Sequence, residues 1–287
     1  MILFGIRDVG AVNACLPVIS ILKERGVPVS VYAEDPASGR LKGKLEIITE
    51  GDITVLLDSV RPSLVVVSPS TAGGTIPVDL TDEAKKRNLR VVLVEDLWSG
   101  HSSSRWNFLP DSVCVADEFA KELILRSWSN YPKSNIHVTG SPVFDKFVNM
   151  QVQFFKRRLR EILELDKDWP VIYFAGEVWG MVQAVPMFIE ALNGLDIQVY
   201  LILRDHPKVT SVNAPDEFRR IYLEYHKALI KLEVGKIVDS KELTSDEVNA
   251  GADIVVGISS TMLVEACYMH KPVLHIWTPE IGEVFSK

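Results

Sequence analysis

The chain has 287 residues, of which 24% are charged and 47% hydrophobic, so it is expected to fold into two globular domains. The formal net charge of -7 argues against nucleic acid as a partner, because affinity for the phosphate backbone depends on clustered lysine and arginine. No apolar run approaches the roughly 18 residues that a membrane span needs, which favours a cytoplasmic location.

Short β-branched runs alternate with longer segments of helical spacing through the first half of the chain. Continuous apolar strands that alternate with helices predict a parallel sheet covered on both faces. The predicted strands are Met1–Ile6, Val29–Ala33, Leu64–Ser68, Arg90–Val94, Ser112–Ala116 and Ile136–Thr139.

The same alternation returns in the second half, after a polar, charge-rich segment at 144–165 that is typical of a linker helix. The fold class is therefore predicted as α/β, with two Rossmann-like domains built on parallel sheets, at 1–150 and 151–287. The predicted strands of the second domain are Val171–Ala175, Ile197–Leu203, Lys236–Val238, Asp253–Val256 and Pro272–Trp277.

The strongest candidate site follows the strand that ends at Gly257, because ligands of parallel α/β sheets lie beyond the carboxyl ends of the strands. Ser259, Ser260 or Thr261 is expected to cap the next helix, whose free N–H groups form a ready site for a phosphate or diphosphate. Glu265, about one turn into that helix, is placed to accept hydrogen bonds from ribose hydroxyls. The alternative is an ordinary strand-to-helix turn with a serine cap.

Adjacent carboxylates at Glu95 and Asp96 follow the strand that ends at Val94. Carboxylates at such a strand end either act as a general base or hold sugar hydroxyls, and the alternative is a loop of solvated acids. His101, a few residues later, is predicted to be a surface or capping histidine.

Arg204 and His206 follow an apolar strand of the second domain. Arginine offers a planar fork for phosphate, and histidine can donate to a phosphoryl oxygen or to a leaving group; the alternative is a salt-bridged turn.

After the first strand, Asp8 is either an acceptor-side base or a turn-forming residue before Gly10. The loop lacks G-x-G-x-x-G spacing, which argues against NAD.

The turn Thr139-Gly140-Ser141-Pro142 and the serine-rich segment 257–265 together resemble GT-B-type enzymes. That superfamily includes nucleotide-sugar glycosyltransferases, CDP-glycerol glycerophosphotransferases and non-hydrolysing UDP-N-acetylglucosamine 2-epimerases. The resemblance implies that the two domains face across a cleft, with the donor nucleotide on the second. It also makes Glu95 the counterpart of an epimerase glutamate that acts on the sugar, and it puts Arg204 in place of the lysine in a Lys-x-His-Pro element of the glycerophosphotransferases.

The resemblance implies a transferase that moves a sugar or polyol phosphate from a nucleotide-activated donor to an acceptor, in the synthesis of a surface polysaccharide or glycan. One alternative is a UDP-N-acetylglucosamine 2-epimerase, although Ser68 stands where the epimerase pattern has aspartate and 174–180 lacks its His-Arg-Arg-Glu motif. The other is an inactive nucleotide-sugar-binding protein, because GT-B domains usually continue with further helices past the strand that matches Pro272–Trp277, so that the second domain here is short or truncated.

The expected partner is a nucleotide-sugar or nucleotide-polyol substrate. The expected chemistry needs no metal, and no other cofactor is expected. The stretch Phe154–Arg160 combines aromatic and basic residues, which predicts either a solvated helix face or peripheral contact with an anionic membrane. A homodimer is a further open alternative.

Overall fold

The computed structural model describes residues 1–49, 51–70, 75–96, 98, 100–103, 106–212 and 214–285. The chain divides into two compact units, Met1–Asp145 and Lys146–Lys287. Leu97 and Ser99, which belong to the segment after the predicted strand Arg90–Val94, lie outside the described residues.

The first unit is built on a six-stranded parallel sheet with the strand order β2-β1-β3-β4-β5-β6. Short 3₁₀ turns lie at Gly100–Ser103 and Lys133–Asn135. The elements in chain order are β1 (Ile2–Ile6), α1 (Val9–Glu24), β2 (Val29–Ala33), α2 (Ala37–Leu41), α3 (Ile53–Val60), β3 (Leu64–Val67), α4 (Ile76–Lys86), β4 (Arg90–Val94), β5 (Ser112–Val115), α5 (Glu118–Ser127) and β6 (Ile136–Val138).

The second unit is built on a five-stranded parallel sheet with the strand order β11-β10-β7-β8-β9. The chain passes into it through α6 (Asp145–Val148). The remaining elements are α7 (Val152–Ile162), β7 (Val171–Ala175), α8 (Met181–Asn193), β8 (Val199–Arg204), α9 (Pro207–Thr210), α10 (Asp216–Leu229), β9 (Gly235–Ile237), α11 (Ser245–Gly251), β10 (Ile254–Gly257), α12 (Thr261–Tyr268), β11 (Val273–His275) and α13 (Pro279–Phe285).

Each sheet has a hydrophobic cluster on both of its faces. Successive side chains of a strand point to opposite faces, so Leu3 joins one cluster of the first unit and Phe4 joins the other. In the second unit Ile172 and Tyr173 divide in the same way. Burial on both faces explains why the strands read as continuous apolar runs in the sequence.

Helix α7 packs on the second unit, although the sequence suggested a linker. Its Leu159 is 1% exposed and lies against Gly251 at the end of α11. Arg158 Nε lies 3.2 Å from Glu247 Oε1, and both Lys156 and Arg160 form ion pairs with Asp253. These ion pairs account for much of the basic character of the helix within its own unit. Among the described residues, no helix is long and apolar enough to cross a membrane.

Substitution of Gly251 by alanine is expected to destabilise the second unit. A Cβ there would lie 2.7 Å from Leu159 Cδ1 and 2.9 Å from Phe155 O, so α7 and α11 would have to separate. Overpacking of this kind costs roughly 1–3 kcal/mol, which urea unfolding will measure. Gly194→Ala is the matched control, since the nearest atom to its Cβ would be 3.5 Å away. Equal unfolding midpoints for the two variants would contradict the tight contact.

Candidate functional site

The predicted site residues of the second unit meet at one edge of its sheet. Strands β10, β7 and β8 are neighbours and run parallel, so their carboxyl ends lie side by side. Gly257 pairs with Ala175, and Ala175 pairs with Arg204 in the next strand. Arg204 and His206 therefore lie at the same edge as the start of α12, where ligands of parallel α/β sheets are found.

The start of α12 is capped by Ser260. This residue has extended backbone angles, and its Oγ accepts a hydrogen bond from Met262 N at 3.3 Å, so the helix begins at Thr261. Ser259, the first of the predicted caps, is exposed instead. A Cβ at Gly257 would lie 3.2 Å from Ala175 O, so the glycine lets β10 approach the neighbouring strand.

Glu265 is buried, with 5% of its surface exposed. Burial, and to a smaller extent Asp246, raises its pKa to about 7, against the opposing influence of Lys146 and Asn249. Asn249 Nδ2 lies 3.4 Å from Glu265 Oε2 and donates to Met262 O at 3.0 Å. Asn249 Oδ1 is buried and has no hydrogen-bond partner among the described residues. Sequence reasoning missed Asn249, because its position on α11 gives no local signal of contact with α12.

Arg204 and His206 both make contacts that fix loops at this edge. Arg204 Nη1 donates to Leu243 O at 2.6 Å. His206 Nδ1 accepts from Lys208 N at 3.1 Å, which caps α9. Burial, followed by the charge of Lys208, lowers the pKa of His206, which favours the neutral ring. Because Nδ1 accepts a hydrogen bond, the proton of the neutral ring is on Nε2. That N–H is suited to donate to a phosphoryl oxygen.

Asp205, between those two residues, was not predicted as a site residue. Its Oδ1 accepts from Tyr225 Oη at 2.6 Å and contacts His226 Nε2 at 2.9 Å. Both partners lie on α10, which holds the loop after β8 against that helix.

Glu177, on the loop after β7, is a second acid that was missed. Burial raises its pKa, whereas Ser259, the Val178 N–H and the charge of Lys208 lower it. Its carboxylate thus approaches the loop that leads into α12. The sequence shows only a glycine-flanked turn here. The contact arises because β7 pairs with β10, which brings the loop after β7 close to the loop that leads into α12.

In the first unit, Asp8 and Asp96 come together at the start of α1. Asp8 directly precedes the helix, and its Oδ1 accepts from Ser70 Oγ at 2.9 Å. A Cβ at Gly10 would overlap Asp96 Oδ2, so the glycine makes room for that carboxylate over the first turn of α1. Both aspartates are 8% exposed.

Glu95 and His101 form a buried pair. Glu95 Oε1 lies 2.6 Å from His101 Nδ1, and the two side chains are 1% and 0% exposed. The prediction that His101 is a surface or capping histidine is therefore wrong. The alternative of a loop of solvated acids is also wrong. Sequence spacing did not reveal the pair, because a turn of this length joins two side chains only when the loop folds back on itself.

Groups of three or more histidine, cysteine, aspartate or glutamate side chains suited to a metal ion do not occur in the part of the chain that the structure describes.

No family model and no curated protein matches the chain. Among solved structures, the UDP-GlcNAc 2-epimerase of Neisseria meningitidis bound to UDP-GlcNAc is 15% identical, with a TM-score of 0.63 over 99% of this chain and 85% of that one. The fold is GT-B. A glycosyltransferase from Rickettsia africae has a TM-score of 0.62 at 14% identity over 95% of this chain and 78% of its own.

The Anabaena protein HepE in complex with UDP-glucose gives a TM-score of 0.59 at 14% identity, over 95% of this chain and 79% of that one. These neighbours confirm the predicted α/β class with Rossmann-like parallel sheets. At such identities the likeness is one of fold.

Glu265→Gln is expected to flatten the pH dependence of stability. Folding raises the pKa of Glu265 from 4.5 to about 7, so the folded state holds this proton more tightly than the unfolded state. The resulting stabilisation is full below about pH 4.5 and is lost as the pH rises through about 7. The loss amounts to roughly 3 kcal/mol, and glutamine avoids it because it resembles the protonated acid.

Urea unfolding of both proteins across this pH range measures the difference in slope. Glu190→Gln, on the exposed face of α8, serves as the control and should retain the slope of the unaltered protein. Parallel pH profiles for Glu265→Gln and the unaltered protein would show that Glu265 is not the responsible acid.

Proposed function

We propose that this protein is a GT-B-type transferase that moves a sugar or polyol phosphate from a nucleotide-activated donor to an acceptor. The observation that carries the proposal is the convergence, at one edge of the second sheet, of the capped start of α12 with Arg204, His206 and Glu265. The reaction fits the synthesis of a surface polysaccharide or glycan, and it needs no metal or other cofactor.

The start of α12 is the proposed site of the donor diphosphate. Helix α12 begins at Thr261, and the first N–H groups of a helix have no partner within it. Together with the helix dipole they favour an anion at this position. Solved neighbours of the same fold are complexes with UDP, UDP-glucose or UDP-GlcNAc, which supports a nucleotide diphosphate as the ligand.

His206 and Glu265 are proposed to contact different parts of the donor. The Nε2–H of neutral His206 would donate to the diphosphate and stabilise the charge that develops as it leaves. Arg204 supports the same region through its hydrogen bond to Leu243 O and contributes positive charge. Glu265, inside the first turns of α12, would accept hydrogen bonds from ribose hydroxyls.

Asp96 and Asp8 are the proposed acceptor-side groups, with Gly10 providing room beside them. Asp8 and Asp96 flank the start of α1, where carboxylates can orient an acceptor hydroxyl or accept its proton. Glu95 lies behind them in the buried pair with His101.

A UDP-N-acetylglucosamine 2-epimerase is the second candidate, because the Neisseria meningitidis enzyme matches 99% of this chain. Two positions speak against it. Ser68 follows β3 where the epimerase pattern has aspartate, and Gly176-Glu177 follows β7 where that pattern has His-Arg-Arg-Glu. Those substitutions remove acidic and basic groups that the elimination would use.

UDP is expected to stabilise the protein, with CDP and GDP tested beside it. A ligand at about 100 times its Kd raises the free energy of unfolding by roughly 2.7 kcal/mol, which thermal unfolding detects. Ser260→Asp is expected to weaken UDP binding about tenfold or more, since aspartate caps a helix as well as serine but repels a diphosphate. Ser134→Asp, which adds the same charge at an exposed position of the first unit, should leave the Kd unchanged.

Failure of all three nucleotides to stabilise the unaltered protein would contradict the proposed donor site. A Ser260→Asp variant that binds UDP as tightly as the unaltered protein would place the diphosphate away from α12.

The transferase and the epimerase differ in their products. With UDP-GlcNAc, UDP-glucose or CDP-glycerol as donor, a transferase is expected to release free nucleotide in response to an acceptor. NMR of the UDP-GlcNAc reaction distinguishes this from conversion to UDP-ManNAc, which would establish the epimerase. Binding without either product would indicate a nucleotide-sugar-binding protein.

A further inference from the structure

The described residues between β4 and the end of the Gly100–Ser103 turn make contacts at both ends of this segment and at an intermediate point. Glu95 N continues the sheet by donating to Cys114 O at 3.0 Å. Trp98 Nε1 donates to Asp117 Oδ2 at 2.8 Å, and Trp106 Nε1 donates to His101 O at 2.8 Å. Asp96 thus lies between residues that are held by hydrogen bonds to other parts of the unit.

Glu95 closes this loop on itself. Its Oε1 accepts from the backbone N of His101 at 3.2 Å and contacts His101 Nδ1 at 2.6 Å. The imidazole packs edge-on against Trp128, with ring centroids 5.2 Å apart. With one oxygen committed to two nitrogens of the same residue, the Glu95 carboxylate is placed to hold the loop rather than to meet a substrate.

Asp96 is oriented differently from its neighbour. Its Oδ2 occupies the space that a Cβ at Gly10 would fill, and its Oδ1 would lie 3.1 Å from a Cβ at Gly100. The carboxylate therefore lies over the start of the 16-residue helix α1, beside Asp8. The positive end of a helix dipole favours a negative charge at that place.

We infer that Glu95 and His101 act as a unit that positions Asp96, and that Asp96 is the carboxylate that contacts the acceptor. This inference rests on the proposed transferase function and assigns Glu95 a positioning role in it. The resemblance to the epimerases pointed to Glu95 itself as the group that acts on the sugar. In this chain we assign that role to the adjacent Asp96, because Glu95 is held in the buried contact with His101.

Substitutions at Glu95 separate the two roles. Glu95→Gln keeps an oxygen that accepts both hydrogen bonds of His101 but cannot exchange a proton as a carboxylate does. It is expected to keep kcat within about tenfold of the unaltered protein, whereas Glu95→Ala, which opens the loop, lowers kcat about 100-fold. Asp96→Asn is expected to lower kcat about 100-fold or more with little change in the KM of the donor.

Variants at His101 test whether the pair acts as one unit. His101→Ala is expected to match Glu95→Ala, and the double variant should be no worse than either single one, because residues that act through one contact are not additive. His137→Ala, which removes an exposed histidine of β6 in the same unit, is the control and should keep full activity.

The assay is acceptor-dependent release of nucleotide from UDP-GlcNAc, UDP-glucose and CDP-glycerol by the full chain. Retention of kcat in Glu95→Gln, together with loss of kcat in Asp96→Asn, supports the inference. Equal loss in Glu95→Gln and Glu95→Ala overturns it while the transferase function stands. If the unaltered protein releases nucleotide from none of these donors, the proposed function fails and the inference fails with it.

Discussion

Parallel pairing of β10, β7 and β8 is the constraint from which the candidate donor site follows. The register places Gly257, Ala175 and Arg204 in one row across three strands. The next residues of each strand must then leave the sheet at the same edge. Gly257 and Gly176 both approach a carbonyl oxygen of the neighbouring strand, so larger residues there would push apart the strands that bring the site together.

Burial gives the acids at this edge an unusual character. Glu265 has a pKa of about 7, and burial also raises the pKa of Glu177. Both lie close to the start of α12, where a helix favours negative charge. The negative charge of a bound diphosphate would disfavour the charged forms of both carboxylates, so proton uptake and nucleotide binding are expected to be coupled there.

The two units offer their polar groups in different ways. In the first, Asp8, Glu95, Asp96 and His101 are all buried and are tied to neighbouring loops. In the second, Arg204 and His206 are only half-buried, on loops fixed by Leu243, Lys208 and α10. The first arrangement suits the exact placement of a reacting group, and the second leaves surface for a ligand.

The sequence by itself determined the fold class, the places along the chain where strands occur, and the strand ends at which polar residues collect. Those features depend on local patterns of apolar and turn-forming residues, and they carry directly into the structure. The choice among Ser259, Ser260 and Thr261 as the cap needed the backbone, because all three side chains can accept the bond.

Only the tertiary structure decided which side chains meet. The contacts of Glu265 with Asn249, of Asp205 with Tyr225 and of Glu95 with His101 join residues on different elements or across a folded loop. Such contacts depend on strand order and helix packing, which no single segment encodes. Burial likewise depends on the tertiary structure. Glu95, expected as a solvated or reactive acid, is buried against His101, and burial raises the pKa of Glu265.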